Sequence, residues 1–220
     1  MTPDTPQALT PWVFGVDSLA GQRRFTELTR QLASLVVTAE NDSAELDELN
    51  DMLQATVERI QSVVPSSPAA RVGACTEGRV YIDHGRGIGD YNPMFPAYSV
   101  TEVSEERARG VVNFALCYEG PPNSCHGGFL AVFVDCVVQH HNCQIGLSGK
   151  TRGINIRFRR LVPLLTDLDF EIERTVEDGS VTSVVRLTLD GELLCEATTP
   201  AVAADRAKLP PWSLRASVDA

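Results

Sequence analysis

Apolar residues recur at three- and four-residue spacing early in the chain. They form two sets: Phe25, Leu28, Leu32 and Leu35, then Leu46, Leu49, Leu53, Val57, Ile60 and Val64. That spacing lines one face of a helix, so residues 17 to 64 read as helical. Asn41, Asp42 and Ser43 separate the sets and offer a new N-cap, which divides the segment into two amphipathic helices. Pro65, Ser66, Ser67 and Pro68 close it. After a short apolar run, the glycine- and proline-rich stretch from Gly85 to Pro96 reads as a linker.

Beyond it the pattern becomes that of strands. Ala97 to Val103 and Arg109 to Tyr118 are rich in Val, Phe and Tyr and bounded by turn residues. Thr151 to Leu161 alternates, with Ile154, Ile156 and Phe158 on one face and Asn155, Arg157 and Arg159 on the other. Asp167 to Val176 and Ser180 to Leu189 are joined by Glu177, Asp178 and Gly179, and Glu192 to Val202 follows the Asp190-Gly191 turn. These are antiparallel hairpins. Between the second and third strands, Gly127 to Gln144 is apolar almost all round, as in a helix buried on every side. The layout is α+β, an antiparallel sheet wrapped around one long central helix. Its divisions are a helical extension over 1–80, the sheet-and-helix domain over 81–208 and a tail over 209–220.

The charge balance of the 220 residues excludes some partners. With 19 basic and 29 acidic residues the net charge is −10, which repels nucleic acid and anionic membrane surfaces. Acidic residues crowd between Glu40 and Glu58, as on a solvated helix face. Six cysteines, at 75, 117, 125, 136, 143 and 195, form no CxxC pair and read as reduced, mostly buried thiols. Met1 to Thr10 has neither a basic nor an apolar leader region, and about 18 apolar residues never run uninterrupted. A cytoplasmic protein is expected.

Asp135 stands alone as a carboxylate within the apolar helix, where a charge is costly unless it is paired or used. Gly128, Ala131, Asp135, Gln139 and Asn142 fall on one stripe of that helix. The stripe suits either a packing face, with Asp135 and Gln139 satisfying one another, or a helix face that looks into a site. Before it, Glu119-Gly120-Pro121-Pro122-Asn123-Ser124-Cys125-His126-Gly127-Gly128 is a turn-forming run that brings two glycines to the helix start. Backbone N–H groups there, at the positive end of the helix dipole, can hold an oxygen that gains negative charge. The same run also reads simply as a tight turn. His140, His141 and Cys143 suggest metal ligands, but no second cluster follows at ligand spacing, so no metal or other cofactor is expected. Cys125 beside His126 lacks the third group of a nucleophilic triad.

His126-Gly127-Gly128 followed by Asp135 resembles the PaaI-type branch of the hot-dog thioesterases. Glu119-Gly120-Pro121-Pro122 and the segment Ile154 to Pro163 also look like that family, and the resemblance covers roughly Gly85 to Ala203. It implies a hot-dog fold, a homodimer or homotetramer with sites at the subunit interface, and an acyl-CoA thioester as substrate. Carried over to this chain, Asp135 is the general base or nucleophile, and the Gly128 amide polarises the thioester carbonyl. His126 shapes the turn and Thr151 positions water. Asn123, Gly127, Phe129 and Gln139 border the substrate.

The chemistry of the residues agrees, since thioester hydrolysis needs a base or an attacking carboxylate and oxyanion donors, with no metal. Lys150, Arg152, Arg157, Arg159 and Arg160 concentrate positive charge within eleven positions, as a CoA phosphate site requires. They equally read as the solvated face of a strand. The expected activity is acyl-CoA hydrolysis. The alternative is an acyl-CoA or acyl-carrier binding protein of the same fold that does not catalyse.

Overall fold

The structure, a computed structural model, describes residues 20–62, 87–144, 149–177 and 180–203. The expectations for Pro65 to Pro68, for Gly85 and Arg86, for the Asp178-Gly179 turn and for the tail 209–220 lie outside them, as do Cys75 and the side chains of Cys143 and Lys150.

Two helices open the described chain, α1 (Ala20–Val36) and α2 (Ala44–Gln61). The break falls where Asn41 to Ser43 place it. Ser43 is extended, and its hydroxyl accepts from Leu46 N–H at 3.3 Å, an N-cap that satisfies one of the helix's free donors. The acidic residues of α2 are exposed, as expected of Glu40 to Glu58.

A seven-stranded antiparallel sheet follows: β1 (Tyr98–Val103), β2 (Arg107–Asn113), β3 (Gly149–Thr151), β4 (Asn155–Phe158), β5 (Asp167–Glu177), β6 (Ser180–Leu189) and β7 (Glu192–Ala203). The order is β1-β2-β5-β6-β7-β3, and β4 also pairs with β7. Helix α3 (Gly127–Gln144) fills the crossover from β2 to the far edge and lies on the inner face of the sheet. Leu168, Phe170 and Ile172 of β5, Val185 and Leu187 of β6, and Cys195 and Ala197 of β7 alternate onto that face. They meet Leu130, Phe133, Val134, Val137 and Val138 of α3. Phe133 stands edge-on to Phe114 and Phe170, with centroids 5.5 and 5.4 Å apart. At Gly110 a Cβ would lie 2.0 Å from Ser99 O and 2.5 Å from the Phe170 ring, so β2 gives up a side chain there to let the ring in. The Asp190-Gly191 turn has both φ angles positive, at 50° and 81°, as two-residue hairpin turns require.

Three expectations change. The second strand ends at Asn113, and its last residues, Leu116–Tyr118, form a 3-10 turn that leads away from the sheet. The single strand expected over Thr151 to Leu161 is two short ones on the same neighbour. Thr151 pairs with Ala201 but Asn155 with Thr198, so one extra residue bulges out between them. Finally, α3 is not covered on every side. Ala131, Val132, Asp135 and Gln139 are only half-buried, because the sheet wraps one side of the helix and leaves a strip open.

Candidate active site

The N-terminus of α3 is built by the turn before it. Asn123 takes a left-handed conformation, φ 60°, and its N–H donates to Glu119 Oε1 at 2.7 Å. Gly120 N–H donates to Ser124 O, Cys125 N–H to Val162 O and His126 N–H to Tyr118 O, at 2.8 to 2.9 Å. A Cβ on Gly120 would lie 2.7 Å from His126 Cα, so the turn closes only with glycine there. His126 then caps the helix. Its carbonyl accepts from Phe129 and Leu130 N–H, and its Nδ1 accepts from Gly128 N–H at 3.0 Å.

That cap alters the expected oxyanion donor. Gly128 N–H is taken by the His126 ring, whereas Gly127 N–H has no hydrogen-bond partner among the described residues. Gly127 thus presents the open donor at the positive end of the helix. A Cβ there would meet Phe158 Cζ at 3.1 Å. Phe158, expected on the apolar face of its strand, is 56% exposed and stands over this glycine. Its exposure was not legible in an alternating strand pattern.

Two turns along the helix, Asp135 Oδ1 accepts from the Thr151 hydroxyl at 2.8 Å. Gln139 Nε2 donates to the same hydroxyl oxygen at 2.9 Å, so the three side chains form one directed chain ending on the carboxylate. Asp135 is half-buried, and its second carboxylate oxygen has no hydrogen-bond partner among the described residues. The bulge places Thr151. Without it, period-two alternation would turn Thr151 outward with Asn155 and Arg157.

Other expected residues are more dispersed. Phe129 packs on Tyr118, with centroids 4.8 Å apart, at the end of a ring chain that runs from Phe114. The Asn123 side chain is exposed in the turn. Arg157 lies opposite Glu196 on β7, Arg160 is ion-paired with Glu192, and Arg159 is exposed. Burial pushes the Cys125 thiol up to about 12, so the residue beside His126 stays a thiol at neutral pH. Cys136 is likewise pushed up to about 12, by burial first and then by neighbouring Asp135.

A groove of about 610 Å3 runs between α1 and the start of the sheet, bordered by Arg30, Ser34, Leu35 and Leu116. Neither Asp135 nor Gly127 lines it. Among the described residues no helix is long and apolar enough to cross a membrane.

No family model and no curated protein matches the chain. Solved structures do. A protein of the thioesterase superfamily aligns at 22% identity and a TM-score of 0.69, over 86% of this chain and 97% of its own. That is more than the sheet and its helix, so the match extends into the chain before Gly87. A thioesterase protein from Streptococcus pneumoniae TIGR4, crystallised with coenzyme A, aligns at 18% identity and 0.46, over 49% of this chain and 85% of its own. A phenylacetic acid degradation-related protein from Ralstonia eutropha JMP134 aligns at 18% and 0.43, over 48% and 84%. The first of these likenesses makes the fold a hot dog.

Proposed function

We propose that this hot-dog protein hydrolyses acyl-CoA thioesters, with Asp135 as general base and Gly127 N–H holding the oxyanion. The observation that carries this reading is the chain Gln139 to Thr151 to Asp135. It fixes one carboxylate oxygen and leaves the other open on the uncovered strip of α3. That oxygen takes a proton from water, the hydroxide oxygen bonds to the thioester carbon, and the carbonyl oxygen gains the charge. When the C–S bond breaks, Asp135 returns the proton to the CoA thiolate, giving free acid and thiol.

The site needs two copies of the chain. Gly127 and Asp135 are eight residues apart on one helix, about 12 Å along its axis. A base and an oxyanion donor must each come within about 3 Å of groups on the same reacting carbon. Asp135 of one subunit therefore works with Gly127 of another, which supports the homodimer or homotetramer expected from the resemblance. Phe158, exposed beside Gly127 on the outermost described strand, is where a second copy fits. Arg159, exposed beyond that strand, is the cation we assign to a CoA phosphate, with Arg157 nearby.

The test is thiol release from short, long and aromatic acyl-CoAs by wild type and Asp135→Asn. Wild-type release, lowered about 100-fold or more in the variant, is expected. CoA binding without release from any member of the panel would favour the binding protein instead. Mixing Asp135→Asn with Gly127→Pro, which lacks the N–H, should restore part of the activity neither has alone. A mixture as inactive as its components would rule out the shared site.

A further inference from the structure

A second polar cluster lies at the other end of α3, away from the proposed catalytic groups. Arg174 of β5 pairs across the sheet with Ser183 of β6, which pairs with Thr199 of β7. All three turn inward, in the rows of Ile172, Val185 and Ala197, and they are 8%, 0% and 0% exposed. Near them runs the last turn of α3, where His141, close enough to Arg174 to feel its charge, and Asn142, one turn beyond the core residue Val138, are 1% and 0% exposed. Asn142 is about 10 Å along the helix from Asp135.

These side chains are held but not satisfied. Arg174 Nη2 donates to Glu105 O, and His141 Nε2 to Ser104 O at 2.8 Å, so both reach the β1–β2 turn. Among the described residues, Arg174 Nε and Nη1, both polar atoms of the Asn142 amide, the Ser183 and Thr199 hydroxyls and His141 Nδ1 have no partner. Among the described residues no carboxylate forms an ion pair with Arg174, and Glu105, the acidic group that acts on it, is exposed. Set against four donor side chains and a fixed positive charge are only the Asn142 oxygen and the bare His141 Nδ1, with the hydroxyls free to act either way. A guanidinium buried without a counter-charge is costly, and an anion offsets that cost where a water molecule satisfies only the hydrogen bonds.

We infer that Arg174, with Ser183, Thr199 and Asn142, holds a small inorganic monoanion of about the size of chloride. Arg174, Ser183 and Thr199 stand in one row across three neighbouring strands, about 4.8 Å from strand to strand, a spacing that suits a small inorganic ion. The site is independent of the thioesterase reading, since none of its residues is used there.

Thermal unfolding of the full chain at constant ionic strength, with chloride or bromide replaced by bulky gluconate, tests it. Each tenfold rise in halide above its dissociation constant should raise the wild-type Tm by about 3 to 5 °C. Arg174→Met should lose that dependence. If that variant does not fold, Ser183→Ala should need more halide for the same shift. Bromide-soaked crystals should show an anomalous peak beside Arg174. A wild-type Tm indifferent to halide, a rise equally large in either variant, or no peak at the cluster would overturn the inference.

Discussion

Thr151 Oγ1 receives a hydrogen bond from Gln139 and gives one to Asp135, so its removal disturbs the carboxylate without touching its charge. Thr151→Val keeps the shape and should lower kcat about tenfold with KM little changed, a loss of one charge-assisted hydrogen bond. Steady-state kinetics on the best acyl-CoA checks this, and an equal loss in Asp135→Asn/Thr151→Val would detach Thr151 from the carboxylate. Gly120 acts on geometry alone. Gly120→Ala should cost about 1 to 3 kcal/mol, measured as a lower urea midpoint, because its Cβ would press on His126. The thiols can be sorted in one alkylation experiment. Cys125 and Cys136, pushed up to about 12, and Cys195, to about 11, should resist iodoacetamide at pH 8, while half-buried Cys117 reacts first of these four described thiols.

Helix α1 reaches the site through one intermediary. Arg30, 6% exposed, donates to Gly89 O, and Ser34 Oγ accepts from Cys117 N–H at 3.3 Å. Cys117 belongs to the 3-10 turn whose Tyr118 carbonyl holds His126 N–H, the cap of α3. We expect Arg30→Leu to leave Gly89 O unpaired, cost about 1 to 3 kcal/mol and speed amide exchange from Leu116 to Gly128. Exchange confined to α1 would show that the helix rides on the domain without steadying the site. Helix α2 buries none of its residues, so its apolar stripe contributes nothing to the core of a single chain.

For the whole molecule, subunit assembly and pH are the levers. Phe158→Arg puts charge at the subunit contact proposed above and should give a monomer by sedimentation velocity, with thioester hydrolysis lost although Asp135 is intact. Stability should fall on both sides of neutrality. Burial lowers the His141 pKa from 6.5, so the unfolded chain takes the proton first and stability is lost as pH drops through that region. The buried thiols have raised values. The unfolded chain releases its protons from about 9.0 upward while the folded one holds them to about 11 or 12, so stability also declines over that range. Urea midpoints at pH 5, 7.5 and 10.5 should peak at the middle value.

Periodicity, with the Asn41 to Ser43 break and the turn residues, separated α1 from α2, found α3 and placed the long hairpins, because those patterns record which side chains must leave water. Asp135 was legible for the same reason, as a charge where apolar residues belong. The bulge that turns Thr151 inward was not, since the extra residue shows only against the register of β7. Nor was the capture of Gly128 N–H by His126, a matter of rotamer and turn shape, which moves the open donor to Gly127. The buried row of Arg174, Ser183 and Thr199 comes from three strands with no local signal in common. Sequence determined what had to be buried; tertiary structure decided which polar atoms burial left without partners.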